Sequence, residues 1–319
     1  MNSRDKNMDF PKIDLVYTWV DGNDPAWQAR YRHTAGIDES AADSSCKGRY
    51  ADNEELRYSL RSIARHAPWI NHIYIVTDDQ VPKWLNTDNP KISVVDHKDI
   101  IPTRYLPCFN SQIIEHFIHR IPGLSEHFLY ANDDMFINRD VKPSDFFKAD
   151  GYPVIRMNMR PFRRFTLYLR RKLLGKELNM YNRAILNAAD LVSKRYGVFF
   201  GCKTHHNIDA YRKSDYEYTR EIFKNEIEPT LINHFRARND IQRNIYSYVP
   251  LAERKGHLKI TSHRSSYRLH IDKNKYDKMI RCKPTFFCLN DSEFANDEDR
   301  RRAGEFLRSY FPDKSEYEL

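Results

Sequence analysis

The chain has 319 residues, 40% of them hydrophobic and 30% charged, with a formal net charge of +8. That length suits one large domain or two intimate ones and is ample for a core. No run of eighteen apolar residues exists, which excludes a membrane-spanning helix. The positive balance points to anionic partners: nucleotide sugars, phosphates, an anionic membrane surface or nucleic acid. Residues 1–9 are polar and lack the apolar core of a secretion signal. The five cysteines (Cys46, Cys108, Cys202, Cys282, Cys288) include no C-x-x-C pair, so free thiols in a reducing cytoplasm are expected.

Residues 1–10 read as a disordered lead-in. Residues 13–20 are β-branched and aromatic, a first strand that ends in the turn residues Asp21-Gly22-Asn23-Asp24-Pro25. Such an ending either brings amides and the Asp21 carboxylate to a ligand or simply turns the chain. Residues 34–50 are small and polar, a loop. Asp52 with Glu55 suits a capping-box start. Leu56, Leu60, Ile63 and Ala67 then form the buried face of a helix that Pro68 ends. Arg57 and Arg61, one turn apart, either reach a phosphate or cover a solvated face. Residues 73–77 and 91–96 are the next strands. A second helix is expected from Asn110 or Ser111, burying Ile113, Ile114, Phe117, Ile118 and Ile121, with Pro122-Gly123 as its stop. The order βαββαβ makes residues 11–150 a Rossmann-like half with ligand loops on one edge.

The last strand of that half, from Phe128, runs into Asn132-Asp133-Asp134 and resumes as Met135-Phe136-Ile137. Adjacent carboxylates repel, so their burial requires a cation or donors. Mg²⁺, with its oxygen ligands, fits such a pair, and the C-terminal end of a central strand is where an open α/β sheet binds its ligand. The plain alternative is an Asx-rich turn capped by its own side chains.

After Phe147 the pattern changes. Between Arg160 and Lys176 stand seven basic residues and no acidic one, with Phe162, Phe165, Leu169 and Leu173 on one helical face. Either this is a surface helix packed by its apolar side, or it lies on an anionic membrane and receives a lipid-linked acceptor. Residues 151–259 are expected to be mainly helical. Residues 260–291 return to extended structure within a C-terminal segment, 260–319, and a helix follows from Glu298 to Phe311. His205-His206-Asn207-Ile208-Asp209 offers a general base or a metal ligand. Arg236 to Asp240 sets guanidiniums beside a carboxylate, the group suited to phosphate. His263, Arg264, Arg268 and His270 form a further basic cluster, and Cys288-Leu289-Asn290-Asp291 repeats the Asn-Asp ending. There is no glycine-rich phosphate motif, so any phosphate would be held by Arg, His and a metal.

Taken together, these motifs resemble the Stealth family of sugar-1-phosphate transferases, which includes bacterial capsule polysaccharide phosphotransferases and the animal enzyme that starts the mannose-6-phosphate tag. Four blocks carry the resemblance: Ile13 to Gly22; Arg49 to Leu56 through Pro68-Trp69-Ile70, Phe109-Asn110-Ser111 and Gly123 to Glu126 to Asp133-Asp134-Met135-Phe136; His205-His206 through Phe235-Arg236 and Asp240-Ile241-Gln242; and Cys288 to Asp291 with the tail Phe311 to Ser315. The fold it implies is α/β: a Rossmann-like (GT-A-like) mixed sheet flanked by helices, with a mainly helical second half completing the active site. The implied reaction transfers a sugar and its phosphate from a nucleotide sugar, usually UDP-linked, to a glycan or lipid-linked glycan hydroxyl, releasing UMP. Asp133 and Asp134 would then hold Mg²⁺ or Mn²⁺, with Asp21 near nucleotide or metal. His206 would be the base, with His205 the other candidate. Arg236 would neutralise phosphate charge, Asp240 would orient Arg236, and Asn290 and Asp291 would complete the site. Asp52 and Asn110 either bind substrate or only cap helices. The rival is a GT-A-type glycosyltransferase, which releases UDP. Nucleic acid is not an expected partner, because carboxylates gather at the strand ends. A cytoplasmic enzyme, peripheral at the inner membrane face through 160–176, is expected.

Overall fold

A computed structural model describes residues 11–37, 50, 53–158, 178–291 and 294–319. The expected lead-in, the Asp52 cap and the basic segment 160–176 lie outside these residues. The strands are β1 (Ile13–Thr18), β2 (Ile73–Thr77), β3 (Ile92–Asp96), β4 (His127–Asn132), β5 (Met135–Ile137) and β6 (Val154–Asn158), then β7 (Lys203–Thr204), β8 (Asp209–Arg212), β9 (His257–Ile260), β10 (Ser266–His270) and β11 (Phe286–Asn290). The longer helices are α1 (Pro25–Ala35), α2 (Glu55–His66), α3 (Met180–Tyr196), α4 (Lys213–Ile222), α5 (Ile245–Ala252), α6 (Tyr276–Cys282) and α7 (Asp297–Tyr310).

The fold is α/β, built on a mixed sheet in the order β3-β2-β1-β4-β8. Strands β1 to β4 are parallel, and β8 joins the β4 edge antiparallel. Strand β1 is covered on both faces, as a central parallel strand requires. Successive side chains point to opposite faces, and two cores result. Leu15, Tyr17, Ile73, Ile75, Leu129 and Ala131 pack on Leu56, Leu60 and Ile63 of α2. Val16, Tyr74, Val76, Phe128 and Tyr130 pack under residues 113–124, α3 and α5. The three apolar residues of α2 are fully buried, each contributing about 1.5–3 kcal/mol. That outweighs the missing side-chain cap at Glu54, a feature that contributes about 1 kcal/mol where present. The Glu55 carboxylate turns back and accepts from the backbone and side-chain amides of Asn53, at 2.7 and 2.8 Å.

Strand β5 leaves the main sheet and enters a second one, ordered β10-β11-β5. Its outer edge is held by α2: Ser59 Oγ donates to the Met135 carbonyl at 2.5 Å, and the Ile137 amide donates to Ser62 Oγ at 3.1 Å. Thus the Asn132–Asp134 turn is the passage between the two sheets. A third sheet, β7-β6-β9, lies beside them.

Several expectations change. Helix α1 was not anticipated, although Asp24 caps it at 2.9 Å from the Trp27 amide, Pro25 opens it and Gly36 closes it at φ 65°; residues 34 and 35 therefore belong to a helix. The expected helix from Asn110 to Ile121 breaks into Ser111–Ile114 and a 3₁₀ turn, Ile118–Arg120. Residues 112–119 are buried on every side, and the His116 ring is drawn to Tyr246 Oη at 2.6 Å and the Ile241 carbonyl at 2.8 Å. These contacts override helical periodicity. The second half carries strands as well as helices: β8 completes the main sheet, and β6 pairs with β9. Helix α6 interrupts the extended run of 260–291. Arg57 and Arg61 are largely covered by the chain's last residues. Both clamp the buried Glu318 carboxylate, at 2.6 and 2.8 Å. Among the described residues, Cys108, Cys202, Cys282 and Cys288 are free thiols, and no helix is long and apolar enough to cross a membrane.

Candidate active site

From β1 the chain steps to β2 and β3 on one side, then crosses to β4 on the other. The C-terminal ends of β1 and β4 therefore flank the reversal of strand order, where an open α/β sheet leaves a crevice. A cavity of about 180 Å³ lies there, lined by Thr18, Trp19, Val20, Trp27, Tyr50, His97, Phe109, Ser111, Asn132, Asp133 and Arg236, among others. Tyr50 is held at its rim by Gly22, whose amide donates to the Tyr50 carbonyl at 2.8 Å. A Cβ at Gly22 would meet Tyr50 backbone at 2.4 Å, so only glycine allows this approach.

In the Asp133–Asp134 turn, the Asp134 amide donates to Asp133 Oδ1 at 3.0 Å, and the Asp134 carbonyl accepts from the Leu289 amide at 2.9 Å. Asp134 Oδ1 is buried and has no hydrogen-bond partner. A cation would satisfy it, and the oxygen donors of the pair fit a hard divalent ion. Asp134 Oδ2 stands 3.7 Å from His206 Nε2.

Strand β8 is antiparallel to β4, so the segment that leads into β8 lies at the same sheet edge as the carboxylates. Its two histidines part. His205 is fully buried, with Nε2 3.5 Å from Asp209 Oδ1, whereas His206 is about 20% exposed beside Asp134. Burial pulls His206 below its ordinary value, and Asp134 partly restores it. His205 falls well below, through burial and then Arg156 and Arg243.

Arg236 lines the cavity and reaches Ser111 Oγ at 3.3 Å. Asp240 is fully buried four residues further along the same loop. Its buried carboxylate accepts from Asn110 Nδ2 at 2.9 Å, Asn233 Nδ2 at 2.7 Å and the Ala237 amide at 2.8 Å, stapling the loop that carries Arg236. Asn110 is fully buried in that staple and caps Ser111–Ile114. Both residues are fully buried and are not among those lining the cavity, and their hydrogen bonds support the loop that carries Arg236. Asp21 lies just past the lining residues; its carboxylate caps its own turn at the Asn23 amide, 2.8 Å, and Gln80 clamps its backbone. Asn290 ends β11, one residue after the Leu289 amide bound to Asp134, and Asp291 follows it and is paired with Arg300 at 2.8 Å. A second cavity, of about 670 Å³, is lined by Tyr31, Tyr50, Asn179, Tyr181, Phe235 and Arg236, among others, so Tyr50 and Arg236 stand between the two.

Beneath the floor is a charge cluster that sequence reasoning missed. Arg243, only 4% exposed, donates to Asp209 Oδ2 and Tyr211 Oη, each at 2.7 Å, and its Nε lies 3.4 Å from Glu115 Oε2. Tyr130 Oη is within hydrogen-bond reach of Glu115, Asn132 and Thr18, at 3.2, 2.9 and 2.9 Å, so the cluster touches two lining residues. Burial raises Asp209 to about 6 against the pull of Arg243, and raises Glu115 too. The nearest signal was position: Asp209 ends the His205-His206 motif and Arg243 follows the Arg236 to Asp240 one, but a buried arginine leaves no periodic trace.

Three stretches match descriptions of the Stealth proteins: conserved region 1 over residues 11–36, conserved region 2 over 49–155 and conserved region 4 over 278–319. The capsular polysaccharide phosphotransferase fcs1 of Haemophilus influenzae is 34% identical over 312 residues, spanning 94% of this chain and 84% of its own. The chain belongs to the Stealth family. The exopolysaccharide phosphotransferase cps2G of Lactiplantibacillus plantarum is 33% identical over 329 residues, 96% of either chain. This Stealth protein is accordingly an enzyme of the phosphotransferase class. Its conserved region 2 holds the Asp133–Asp134 turn, and conserved region 4 holds the Leu289 amide bound to it. Among solved structures, the glycosyltransferase GlyE of Streptococcus pneumoniae TIGR4 aligns over 95% of this chain and 60% of its own, at 12% identity and a TM-score of 0.43.

Proposed function

We propose that this Stealth enzyme transfers a sugar-1-phosphate from a UDP-sugar to a glycan hydroxyl, releasing UMP, in the synthesis of a capsule or exopolysaccharide. The observation that carries the reading is the pairing of Asp133 and Arg236 in one cavity at the β1/β4 switch point, with His206 beside Asp134. The names of its relatives support the product class.

In this reading the donor diphosphate lies between Asp133 and Arg236. Asp133 and Asp134 would hold Mg²⁺ or Mn²⁺, which would supply polarisation of the phosphoryl oxygens. The second cavity, which shares Tyr50 and Arg236 with the first, receives the acceptor. Neutral His206 takes the proton of the acceptor hydroxyl. The acceptor oxygen attacks the sugar-bearing phosphorus in line, the bond to the UMP oxygen breaks, and its electron pair leaves on UMP. Arg236 stabilises the charge that builds on the phosphoryl oxygens. Asp21, Asn290 and Asp291 hold the loops around the site. The basic segment 160–176 keeps the enzyme on an anionic membrane, and high salt should release it.

The deciding experiment incubates the enzyme with Mg²⁺, a panel of UDP-sugars and glycan acceptors, then separates UMP from UDP. Acceptor-dependent UMP is expected. UDP would overturn the reading in favour of attack at the sugar carbon.

A further inference from the structure

Behind the carboxylate turn stands a third donor. The Cys288 thiol is fully buried on β11, opposite Met135 in register. Single donor atoms of Asp134, His206 and Cys288 all lie within 4.8 Å of one another. The Asp134–His206 separation of 3.7 Å is too long for a hydrogen bond. It is close to the edge of a tetrahedron with metal–ligand bonds of about 2.0 Å, which is about 3.3 Å. Asp134 Oδ1 is buried without a partner, so the carboxylate has an oxygen to give.

We propose that Asp134, His206 and Cys288 form a seat for a soft divalent ion of the Zn²⁺ class, which competes for Asp134 with the hard-ion function of the carboxylate pair. The chemistry of the donors selects the ion. A thiolate and an imidazole suit Zn²⁺ and leave Mg²⁺ poorly served. Arg268, paired with Cys288 in register, opposes a purely electrostatic cation site, while its positive charge favours the thiolate. Burial holds Cys288 as a thiol, pushed up to about 12, so binding releases one proton to solvent as the sulfur–metal bond forms. His206 enters through the Nε2 lone pair of its neutral ring.

The seat takes the same Asp134 and His206 that the proposed mechanism uses. Zn²⁺ bound there therefore blocks transfer, a consequence that rests on that mechanism, whereas the seat itself does not.

The test uses the full chain stripped of metal and titrated with Co²⁺, whose bond to a thiolate gives an intense near-ultraviolet absorption. One equivalent should produce that band, stoichiometric Zn²⁺ should remove it, and excess Mg²⁺ should not. Cys288→Ser and Cys288→Ala should both lack the band while keeping wild-type circular dichroism, and His206→Ala should bind Co²⁺ about ten-fold or more weakly. Absence of the band in wild type, or its survival in both Cys288 variants, overturns the seat. In the transfer assay, Zn²⁺ should inhibit wild type, and each Cys288 variant, measured against its own Mg²⁺-supported rate, should be less sensitive. A cobalt band without zinc inhibition would uphold the seat and overturn the role given to Asp134 and His206.

Discussion

The Leu289 amide donates to the Asp134 carbonyl at 2.9 Å. Through this bond the strand before the C-terminal Asn290-Asp291 motif is tied to the carboxylate turn of the central sheet. Ser59 of α2 holds the next carbonyl, Met135, at 2.5 Å from the opposite side. The carboxylate turn is thus fixed by backbone bonds from two distant segments, the preorganisation on which the proposed phosphoryl transfer would draw.

In the proposed mechanism His206 is the base. Because burial lowers it from 6.5 and Asp134 only partly restores it, the ring is neutral at pH 7. The acid limb of kcat/KM should therefore have its midpoint below 6.5, with activity lost only as the ring gains a proton. His206→Ala should lower kcat by about 10²–10⁴ without changing the circular dichroism spectrum. A fully active variant would remove His206 from the chemistry.

Arg236 and Asp240 should fail in different ways. Arg236→Ala should cost about 10²–10³ in kcat with Tm unchanged. Asp240→Ala removes the acceptor of three hydrogen bonds, so it should lower stability by about 2–3 kcal/mol and reduce activity through the displaced loop. Equal Tm values for the two variants would contradict the staple.

Arg243→Met leaves Asp209 and Glu115 buried without their cation. The expected loss is about 3–5 kcal/mol at pH 8. Asp209 already sits at about 6 with Arg243 present, and without it the carboxyl rises further. A raised folded value contributes stability below the unfolded value, and that contribution is lost as pH rises through the folded value. Urea denaturation should therefore show a smaller deficit at pH 5 than at pH 8. The same deficit at both would mean that the carboxylates had found other partners.

Glu318 controls the acid limit. Burial alone would raise it, but Arg61, the Ser315 amide and Arg57 hold it down from 4.5 to about 2. Its contribution, on the order of 3 kcal/mol at neutral pH, is complete above 4.5 and lost as pH falls through about 2. Glu318→Gln should remove this contribution at pH 7 and flatten the stability curve between those values. If wild type and variant lose stability in parallel on acidification, the clamp contributes nothing.

Much of the scaffold was legible because its signals are local. The β-branched run of β1, the Leu56-Leu60-Ile63 stripe of α2 and the abrupt Asn132-Asp133-Asp134 ending each follow from residues within one or two turns of each other. The parallel order of β1 and β2 followed from the helix between them, and the crevice at the C-terminal ends of β1 and β4 followed from the geometry of such a sheet. What depended on distant partners was not legible. Sequence could not say which of His205 and His206 faces Asp134, because that is decided by how β8 docks on β4. Nor could it say that the stretch after Asn110 would tighten into short turns, since the pull on His116 comes from Tyr246 and Ile241. Arg57 and Arg61 looked solvated or phosphate-seeking until the chain end folded back and placed Glu318 between them. Helical and strand periodicity report only which face is apolar. The pairing of buried charges, as in Arg243 with Asp209 and Glu115, is set by the desolvation that tertiary packing imposes, and no single segment records it.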